Sequence, residues 1–186
     1  MAAEPEDGPP DAPTWWQLNK PVVTFIGTFA LIFFLLYSLT WNRFVEDNVF
    51  QPYLALNTTV SAKLIGLLGT EIDVWGDTIL AGPDWSIEVR RGCDAVEPSA
   101  LYIAAVVAFP AAIGAKLVGV IVGVGFLALV NLGRIVSLFY IRRHWPDLFD
   151  MMHLEIWQVA FIVLALVTFL LWARRASRPA PASDEG

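Results

Sequence analysis

Long uncharged apolar runs constrain the fold of this chain more strongly than any other feature of its sequence. Residues 21–41, PVVTFIGTFALIFFLLYSLTW, contain no charged side chain and are long enough to cross a hydrocarbon layer of about 30 Å. Further apolar runs cover residues 98–115, 117–141 and 154–174. With 56% hydrophobic and only 16% charged residues, the chain has too little polar surface for a soluble domain of its size. We therefore predict an all-α integral membrane protein with four transmembrane helices.

The predicted spans divide the chain into segments on the two sides of the membrane. Residues 1–18 are rich in Pro, Asp and Glu and are expected to form a disordered tail, followed by the first span at residues 19–41. Residues 42–97 and 142–153 are expected to be extracytoplasmic, and residues 175–186 to form a cytoplasmic tail. Four spans place both termini on one membrane face. Lysines and arginines are divided too evenly between the faces to fix the orientation, but the basic cluster after the fourth span favours cytoplasmic termini.

The segment between the first and second spans is predicted to hold an amphipathic interfacial helix and a small β-hairpin element. Apolar residues recur there at spacings of three and four, as in a helix that lies on the membrane surface or packs against the bundle: Tyr53, Leu56, Val60, Leu64 and Leu67. The following stretch mixes short apolar and polar runs around the turn-like AGPD. It predicts two or three short strands with a hairpin at Gly82–Pro83–Asp84.

Three polar residues from different predicted segments indicate a site at one membrane face. Cys93, the only cysteine, precedes the second span. Arg134 lies near the end of the third span in NLGRIVSLFY, and His153 precedes the fourth span in MMHLEIWQ. Because successive spans alternate in direction, these positions fall towards the same face. We predict that they form one site.

Cys93 has two interpretations. Most free cysteines are buried packing residues, whereas the two arginines of RRGC and a nearby helix N-terminus would favour a reactive thiolate. The start of that helix is open. Asp94-x-x-Glu97 matches a capping box, whereas Pro98 suits the first helical position and would leave Cys93 in the preceding loop.

Arg134 and His153 also have alternatives. Arg134 could snorkel towards the nearer interface, but Asn131 lies three residues earlier on the same helical face, and such a polar pair indicates a site. His153 could be a capping or surface residue, and His144 is a rival, but a histidine titrates near neutral pH and suits acid–base chemistry. Carboxylates such as Glu97 are more typical of capping or solvated groups. The sequence has no metal or phosphate-binding motif, and we predict neither a metal nor a cofactor.

The segments GCDAVEPSALY, AFPAAIGAKLVG, NLGRIVSLFYIRRHWP and HLEIWQ together resemble the exosortase/archaeosortase family of multi-pass membrane enzymes, over about residues 88–172. The chain is similar to a short, exosortase H-like branch with four spans. The resemblance implies that Cys93 is the nucleophile, Arg134 the active-site arginine and His153 the third catalytic residue. Three further residues are predicted to support them: Asn131, Arg91 and Glu97. The chain departs from the family pattern at Asp94–Ala95, where relatives often have a small polar residue and glycine.

The resemblance also implies a membrane-embedded cysteine protease or transpeptidase of the cell membrane, with its active site facing outward. Its partners would be exported proteins whose C-terminal sorting signal comprises a short motif, a membrane helix and a basic cluster. Cleavage near the outer membrane–water boundary through a Cys93 thioester would free a new carboxyl end for transfer to an acceptor, with lipid among the candidates. A formal charge of −6 at pH 7 argues against a nucleic-acid partner.

Two other functions are compatible with the sequence. A non-enzymatic membrane subunit or chaperone could use the small β element to bind a partner, and its function would survive the loss of Cys93. A thiol acyltransferase could act on lipid-linked acyl groups, and acyl-thioester lipids rather than sorting-signal peptides would then label the cysteine.

Overall fold

The computed structural model of the chain describes residues 14–83 and 85–177. Its α-helices are, in chain order, α1 Trp15–Leu39, α2 Arg43–Val45, α3 Gln51–Leu67, α4 Val96–Ala108, α5 Ile113–His144 and α6 Trp157–Ala176. Its strands are β1 Asp73–Trp75, β2 Thr78–Leu80 and β3 Ser86–Glu88. π-Helical turns cover Glu46–Phe50 and Met151–Ile156, and a 3-10 turn covers Pro146–Leu148. Helix therefore dominates the fold, with one small sheet between α3 and α4.

Three helical segments are long and apolar enough to cross a membrane: Trp15–Leu39, Ile113–His144 and Pro146–Ala176. They confirm three of the four predicted spans. The short helix α4 has 13 residues, which is about 20 Å at 1.5 Å per residue and less than the thickness of the hydrocarbon layer. The predicted second span, residues 98–115, is therefore not confirmed, and the four-span layout stays a prediction.

α4 ends early because the chain approaches a proline. Phe109 is extended, with φ −68° and ψ 139°, as expected for the residue before Pro110. The predicted segment 98–115 is therefore not one helix. α4 nevertheless runs alongside the first half of α5, since the Tyr102 hydroxyl donates to the Gly119 carbonyl at 2.9 Å.

α1 begins earlier than predicted because its N-terminus is capped. Thr14 Oγ1 accepts from the Gln17 N–H at 3.4 Å, and the Gln17 side chain accepts from the Thr14 N–H at 2.8 Å. Helix therefore covers the end of the segment 1–18, which was expected to be a disordered tail. Residues 1–13 of that segment lie outside the described part of the chain.

The boundaries near the C-terminus also differ from those predicted. α5 extends beyond the predicted span 117–141 at both ends, and its last turn occupies the start of the predicted loop 142–153. Basic side chains in that turn suit the negative end of the helix dipole. The predicted span 154–174 begins in the π-helical turn ahead of α6. α6 ends inside the predicted tail 175–186, of which residues 178–186 lie outside the described part.

α3 turns part of its predicted apolar face away from the rest of the molecule. Leu56 and Leu67, both on the predicted apolar face, are 58% and 84% exposed. The buried face instead holds several small or polar residues: Leu54, Asn57, Thr58, Ser61, Ala62 and Ile65. This face packs against α5 and leaves the leucines free to contact lipid. Helical spacing finds an apolar face, but in a membrane protein that face can point outward.

The small β element is an antiparallel sheet in the order β1-β2-β3, so it has the larger of the two predicted strand numbers. β1 and β2 meet at Trp75 and Thr78 across a tight turn, in which Gly76 has a φ of +59°. β2 and β3 flank the predicted hairpin position Gly82–Pro83–Asp84, of which Asp84 lies outside the described residues. β1 and β3 are therefore the two edge strands.

Two apolar clusters hold the molecule together, and α5 contributes to both. We call α1, α4, α5 and α6 the bundle, and α3 with the sheet the cap. The bundle cluster includes Leu127 and Phe161, and the cap cluster includes Ile79 and Phe139. The first half of α5 packs in the bundle and its second half in the cap. Polar side chains near the middle of α5 therefore lie at the junction of the two units.

Candidate active site

Cys93 lies in the loop that connects β3 to α4, at the junction between the cap and the bundle. Gly92 and Ala95 flank it with left-handed backbone, at φ values of +90° and +56°. α4 begins directly afterwards, with Ala95 as its N-cap residue and no side-chain cap. Neither predicted helix start is right, because the cap is not Asp94 and the first helical residue is not Pro98. Cys93 nevertheless lies in the preceding loop, as the second alternative requires.

Cys93 and His153 are in direct contact, although they are far apart in the sequence. The Cys93 Sγ and His153 Nε2 atoms are 3.0 Å apart. The thiol can donate to Nε2 when the imidazole carries its proton on Nδ1. His153 lies in the π-helical turn ahead of α6, a kind of turn that is frequent at functional sites, and its ring stacks on Phe149 at 5.3 Å. The geometry therefore places a base beside the thiol.

Arg134 is buried beside the same loop. It is 4% exposed, and its Nη1 donates to the Gly92 carbonyl at 3.1 Å. The Phe161 ring lies 5.5 Å from the guanidinium carbon. Among the described residues, no carboxylate lies within 4.0 Å of this guanidinium, and its Nε has no hydrogen-bond partner. Arg134 is therefore not a snorkelling residue but a buried cation with unused donors near the thiol.

Asn131, one turn before Arg134 on α5, holds the backbone of the cysteine. Its Nδ2 donates to the Cys93 carbonyl at 2.9 Å and to Asn57 Oδ1 at 3.3 Å. Asn57 in turn donates to the Tyr53 carbonyl at 2.8 Å. Asn131 thus positions the loop, and Asn57 is a partner that the predicted site lacked. The only sequence signal for Asn57 is its place in the polar run NTT of α3.

The two arginines before the cysteine are both paired with carboxylates. Arg90 pairs with Glu88 at 2.7 Å on the surface. Arg91, one of the predicted supporting residues, pairs with Asp94 at 3.4 Å and with Glu46 at 3.7 Å. Arg91 therefore ties the loop to the π-helical turn that precedes α3, rather than offering a free charge to the sulfur.

Most of the chain, residues 22–170, matches a family model described as transmembrane exosortase. The chain belongs to the transmembrane exosortase family. This finding confirms the resemblance, and the matched range includes Cys93, Arg134 and His153. Comparisons with curated proteins and with solved structures find no match.

Burial dominates the protonation of the exosortase thiol. Burial raises the pKa of Cys93 above its ordinary value, Arg134 opposes this rise, and Asp94 adds to it. Glu97, the third predicted supporting residue, is exposed in the first turn of α4, and its charge also raises the pKa of Cys93. The thiol beside the imidazole therefore loses its proton less readily than an exposed cysteine does. Both arginines of RRGC are paired with carboxylates.

Ala95, where the resemblance leads one to expect glycine, has a backbone conformation that suits glycine. A left-handed conformation such as its φ of +56° costs a residue with a Cβ about 1–2 kcal/mol. The Ala95 methyl is buried in the bundle cluster, which offsets part of that cost. The neighbouring Asp94 carboxylate accepts from the Val96 N–H at 3.2 Å and steadies the turn into α4.

His144, the rival of His153, lies away from the thiol. Its ring stacks on Tyr140 at the end of α5, and it lines a separate cavity with Gly69 and Glu71. The structure thus brings together Cys93, Arg134 and His153 from three segments, and it leaves His144 outside this group. Catalytic roles for the three residues stay a prediction.

A cavity of about 300 Å³ opens onto the thiol and the imidazole. Its lining comes from β3, the following loop, α5 and the segment before α6: Ile87, Glu88, Val89, Arg90, Arg91, Cys93, Ile135, Leu138, Phe149 and His153. Within residues 14–83 and 85–177, no group of three or more His, Cys, Asp or Glu could hold a metal ion. The cavity can therefore admit a peptide backbone to a thiol–imidazole pair with a buried cation nearby.

Proposed function

We propose that this exosortase is a membrane-embedded cysteine transpeptidase that cleaves C-terminal sorting signals of exported proteins and passes the new carboxyl end to an acceptor. The single observation that carries the proposal is the 3.0 Å contact between Cys93 Sγ and His153 Nε2. A nucleophile within hydrogen-bond reach of a base is the arrangement that covalent acyl transfer requires. The buried Arg134 adds a donor for the negative charge that this chemistry creates.

The first step forms a thioester. His153 Nε2 accepts the thiol proton as Cys93 Sγ attacks the scissile carbonyl carbon, and the carbonyl oxygen becomes an oxyanion. The free donors of Arg134 stabilise that charge. When the tetrahedral intermediate collapses, the C–N bond breaks and His153 returns its proton to the leaving amine.

The second step resolves the thioester. Water or an amine-bearing acceptor gives a proton to His153 and attacks the carbonyl carbon, and Sγ leaves and recovers the proton. An amine acceptor yields a transferred chain, whereas water yields a free carboxylate. A lipid acceptor suits a site at the edge of the bundle, because such a molecule already lies in the membrane.

The place of the site suits a substrate with its own membrane helix. Cys93 lies where the bundle meets the cap, whereas Lys116, at the other end of the α4–α5 pair, donates to the Val107 carbonyl at 2.7 Å. A peptide bond just outside a substrate's membrane helix would therefore reach the depth of the thiol when the two proteins lie side by side. With cytoplasmic termini, the thiol faces outward from the cell membrane.

The test is co-expression with candidate C-terminal-signal proteins from the same genome, with cleavage followed by mass shift on immunoblots. Cys93→Ala should abolish cleavage, and His153→Ala should lower its rate by about 10²–10⁴-fold as for a lost general base. Arg134→Ala should lower the rate by about 10²–10³-fold as for a lost oxyanion donor. His144→Ala is the matched control and should leave cleavage unchanged.

Two results would replace the proposal with one of its alternatives. Cleavage that survives Cys93→Ala would indicate a non-enzymatic subunit or chaperone. Labelling of Cys93 by acyl-thioester lipids, with no cleavage of any sorting-signal protein, would indicate a thiol acyltransferase.

A further inference from the structure

The edge strand β3 has backbone groups that face no other strand. Trp85 accepts a backbone hydrogen bond from the β2 side at 2.9 Å, and Val89 donates one to that side at 2.8 Å. The odd-numbered residues of this segment therefore turn their backbone groups to β2. Because the direction of these groups alternates along a strand, the N–H and C=O of Ser86 and Glu88 face the open edge. Within the described residues, no other backbone segment pairs with them.

This open edge borders the cavity of the thiol. Glu88 and Arg90 line that cavity together with Cys93 and His153. Neighbouring strands lie about 4.8 Å apart, so a strand added to β3 would run through this cavity. The opposite edge of the sheet, β1, contributes no residue to the cavity lining.

We propose that the substrate segment carrying the scissile bond binds to β3 as an additional antiparallel or parallel strand. The inference rests on the proposed function, since the occupant is the peptide that Cys93 attacks. Binding by strand addition draws its affinity from main-chain hydrogen bonds and its specificity from pockets that receive alternate side chains. An extended backbone also presents each carbonyl to one side, as attack by a fixed thiol requires.

The rest of the cavity provides the pocket for such a side chain. Ile135, Leu138 and Phe149 form an apolar wall of the cavity that also holds the thiol. Successive side chains of the added strand would point to opposite faces of the sheet. A side chain on the cavity side would enter this space, and the side chains before and after it would not. β3 thus selects an extended peptide, and the apolar wall selects the residue beside the cut.

A proline scan tests the hydrogen bonds of the open edge. Glu88→Pro removes an outward N–H and should lower the rate of substrate cleavage about tenfold, as for a lost hydrogen bond of about 1.4 kcal/mol. Glu88→Ala keeps the N–H and removes only the side chain with its ion pair to Arg90, so the further loss in Glu88→Pro relative to Glu88→Ala measures the contribution of the N–H. Val74→Pro is the matched control, because Val74 has the outward-facing register position on β1. Equal losses in Glu88→Pro and Val74→Pro would overturn the proposal.

Disulfide crosslinking tests the docking without any catalysis. Cys93→Ala removes the only cysteine, so new cysteines can be placed one at a time at Ser86, Glu88 or Val74. The partner is a peptide with the membrane helix and basic cluster of a candidate sorting signal, carrying one cysteine at successive positions before that helix. Crosslinks should form at Ser86→Cys and Glu88→Cys, with yields that alternate every second peptide position. Crosslinks of equal yield at Val74→Cys, or without alternation, would refute docking at β3.

The two readouts separate this inference from the proposed function. Cys93-dependent cleavage without crosslinks at β3 leaves the function standing and ends the strand-addition mode. Alternating crosslinks at β3 without any Cys93-dependent cleavage support the docking mode and refute the cleavage chemistry.

Discussion

At the residue scale, the thiol of Cys93 is subject to opposing electrostatic influences. Burial and the carboxylate of Asp94 favour the neutral thiol, and the guanidinium of Arg134 favours the thiolate. Burial is the largest of these influences, and it raises the pKa of Cys93 above its ordinary value. In the proposed mechanism, His153 would take the thiol proton as the substrate binds, and the positive charge of Arg134 would act on the oxyanion.

We predict that Arg134→Gln raises the pKa of Cys93 further, because the substitution removes the cation that opposes burial. Reaction of Cys93 with iodoacetamide requires the thiolate, so it is slow below the pKa and fast above it. The pH at which the alkylation rate is half-maximal should therefore move upward in Arg134→Gln and stay near the wild-type value in Arg134→Lys.

The control for this titration is Arg90→Gln, because Arg90 is exposed and paired with Glu88. Its alkylation profile should match that of the wild type. A profile that is unchanged in Arg134→Gln, or that shifts equally in Arg90→Gln, would contradict the conclusion that Arg134 is the cation that lowers the pKa of Cys93.

The sequence identifies these residues because a membrane protein makes polar side chains conspicuous. Arg134 and Asn131 stand out within an apolar run, and Cys93 stands out as the only thiol. Asn57 does not stand out, because it lies in the polar run NTT of a helix that was predicted only from the spacing of its apolar residues. The paired state of the two arginines in RRGC could not be predicted either, since Glu46 reaches Arg91 only through the fold.

At the element scale, α5 depends on glycines where other helices approach it. A methyl group at Gly123 would overlap the ring of Tyr102 in α4, and one at Gly119 would overlap the indole of Trp172 in α6. These contacts let the bundle helices pack closely, as small residues do in membrane proteins. The approach of α4 to α5 in turn fixes the loop that holds the cysteine.

We predict that Gly123→Ala destabilises the bundle by about 1–3 kcal/mol, as expected for overpacking of a tight contact. Gly125 lies two residues after Gly123, and a methyl group added there would have no neighbouring atom within 4 Å. Gly125→Ala should therefore be neutral or slightly stabilising. Thermal unfolding in detergent measures both, and equal melting temperatures for the two variants would contradict the close α4–α5 contact.

The sequence predicts which segments are helices and strands, but it does not predict every residue at which they begin and end. Uncharged runs predicted the long helices because length and hydropathy suffice for that purpose. The early end of α4 follows from Pro110, a signal that the sequence does contain. The buried face of α3 does not follow from the sequence, because its polar side packs on α5 while its leucines face outward.

At the scale of the whole molecule, the end of α6 lies away from the thiol. Phe25 of α1 stacks on Phe169 of α6, and Trp172 of α6 donates to the Ala115 carbonyl at the start of α5. The end of α6 therefore lies beside the start of α5, and Cys93 lies towards the other end of the bundle. The placement of both termini on one membrane face stays a prediction.

We predict that a membrane-impermeant methanethiosulfonate reagent labels Cys93 in intact cells, because the proposed topology turns the thiol outward. No other cysteine can contribute to the signal. In the Cys93→Ala background, Ser177→Cys at the end of α6 should be labelled only after permeabilisation. The reverse pattern for the two positions would show that the termini are outside the cell.

The sequence predicts only in part that the three site residues lie close together, because that prediction rests on the alternating direction of the spans. Alternation places Cys93, Arg134 and His153 at one face, but it does not bring them into contact. The contact depends on the π-helical turn that carries His153 and on the length of α5 that links the bundle to the cap. Neither feature has a recognisable signature in one sequence.

The outward leucines of α3 have a consequence for how the proposed enzyme would meet its targets. Together with exposed Trp41 and Trp75, they give the cap an apolar surface that suits the membrane interface. In the proposed topology, lipid headgroups would surround the entrance to the cavity of Cys93. A tethered precursor drifting sideways in the same leaflet would arrive there by two-dimensional diffusion, so confinement to a thin layer raises its encounter rate without any gain in affinity.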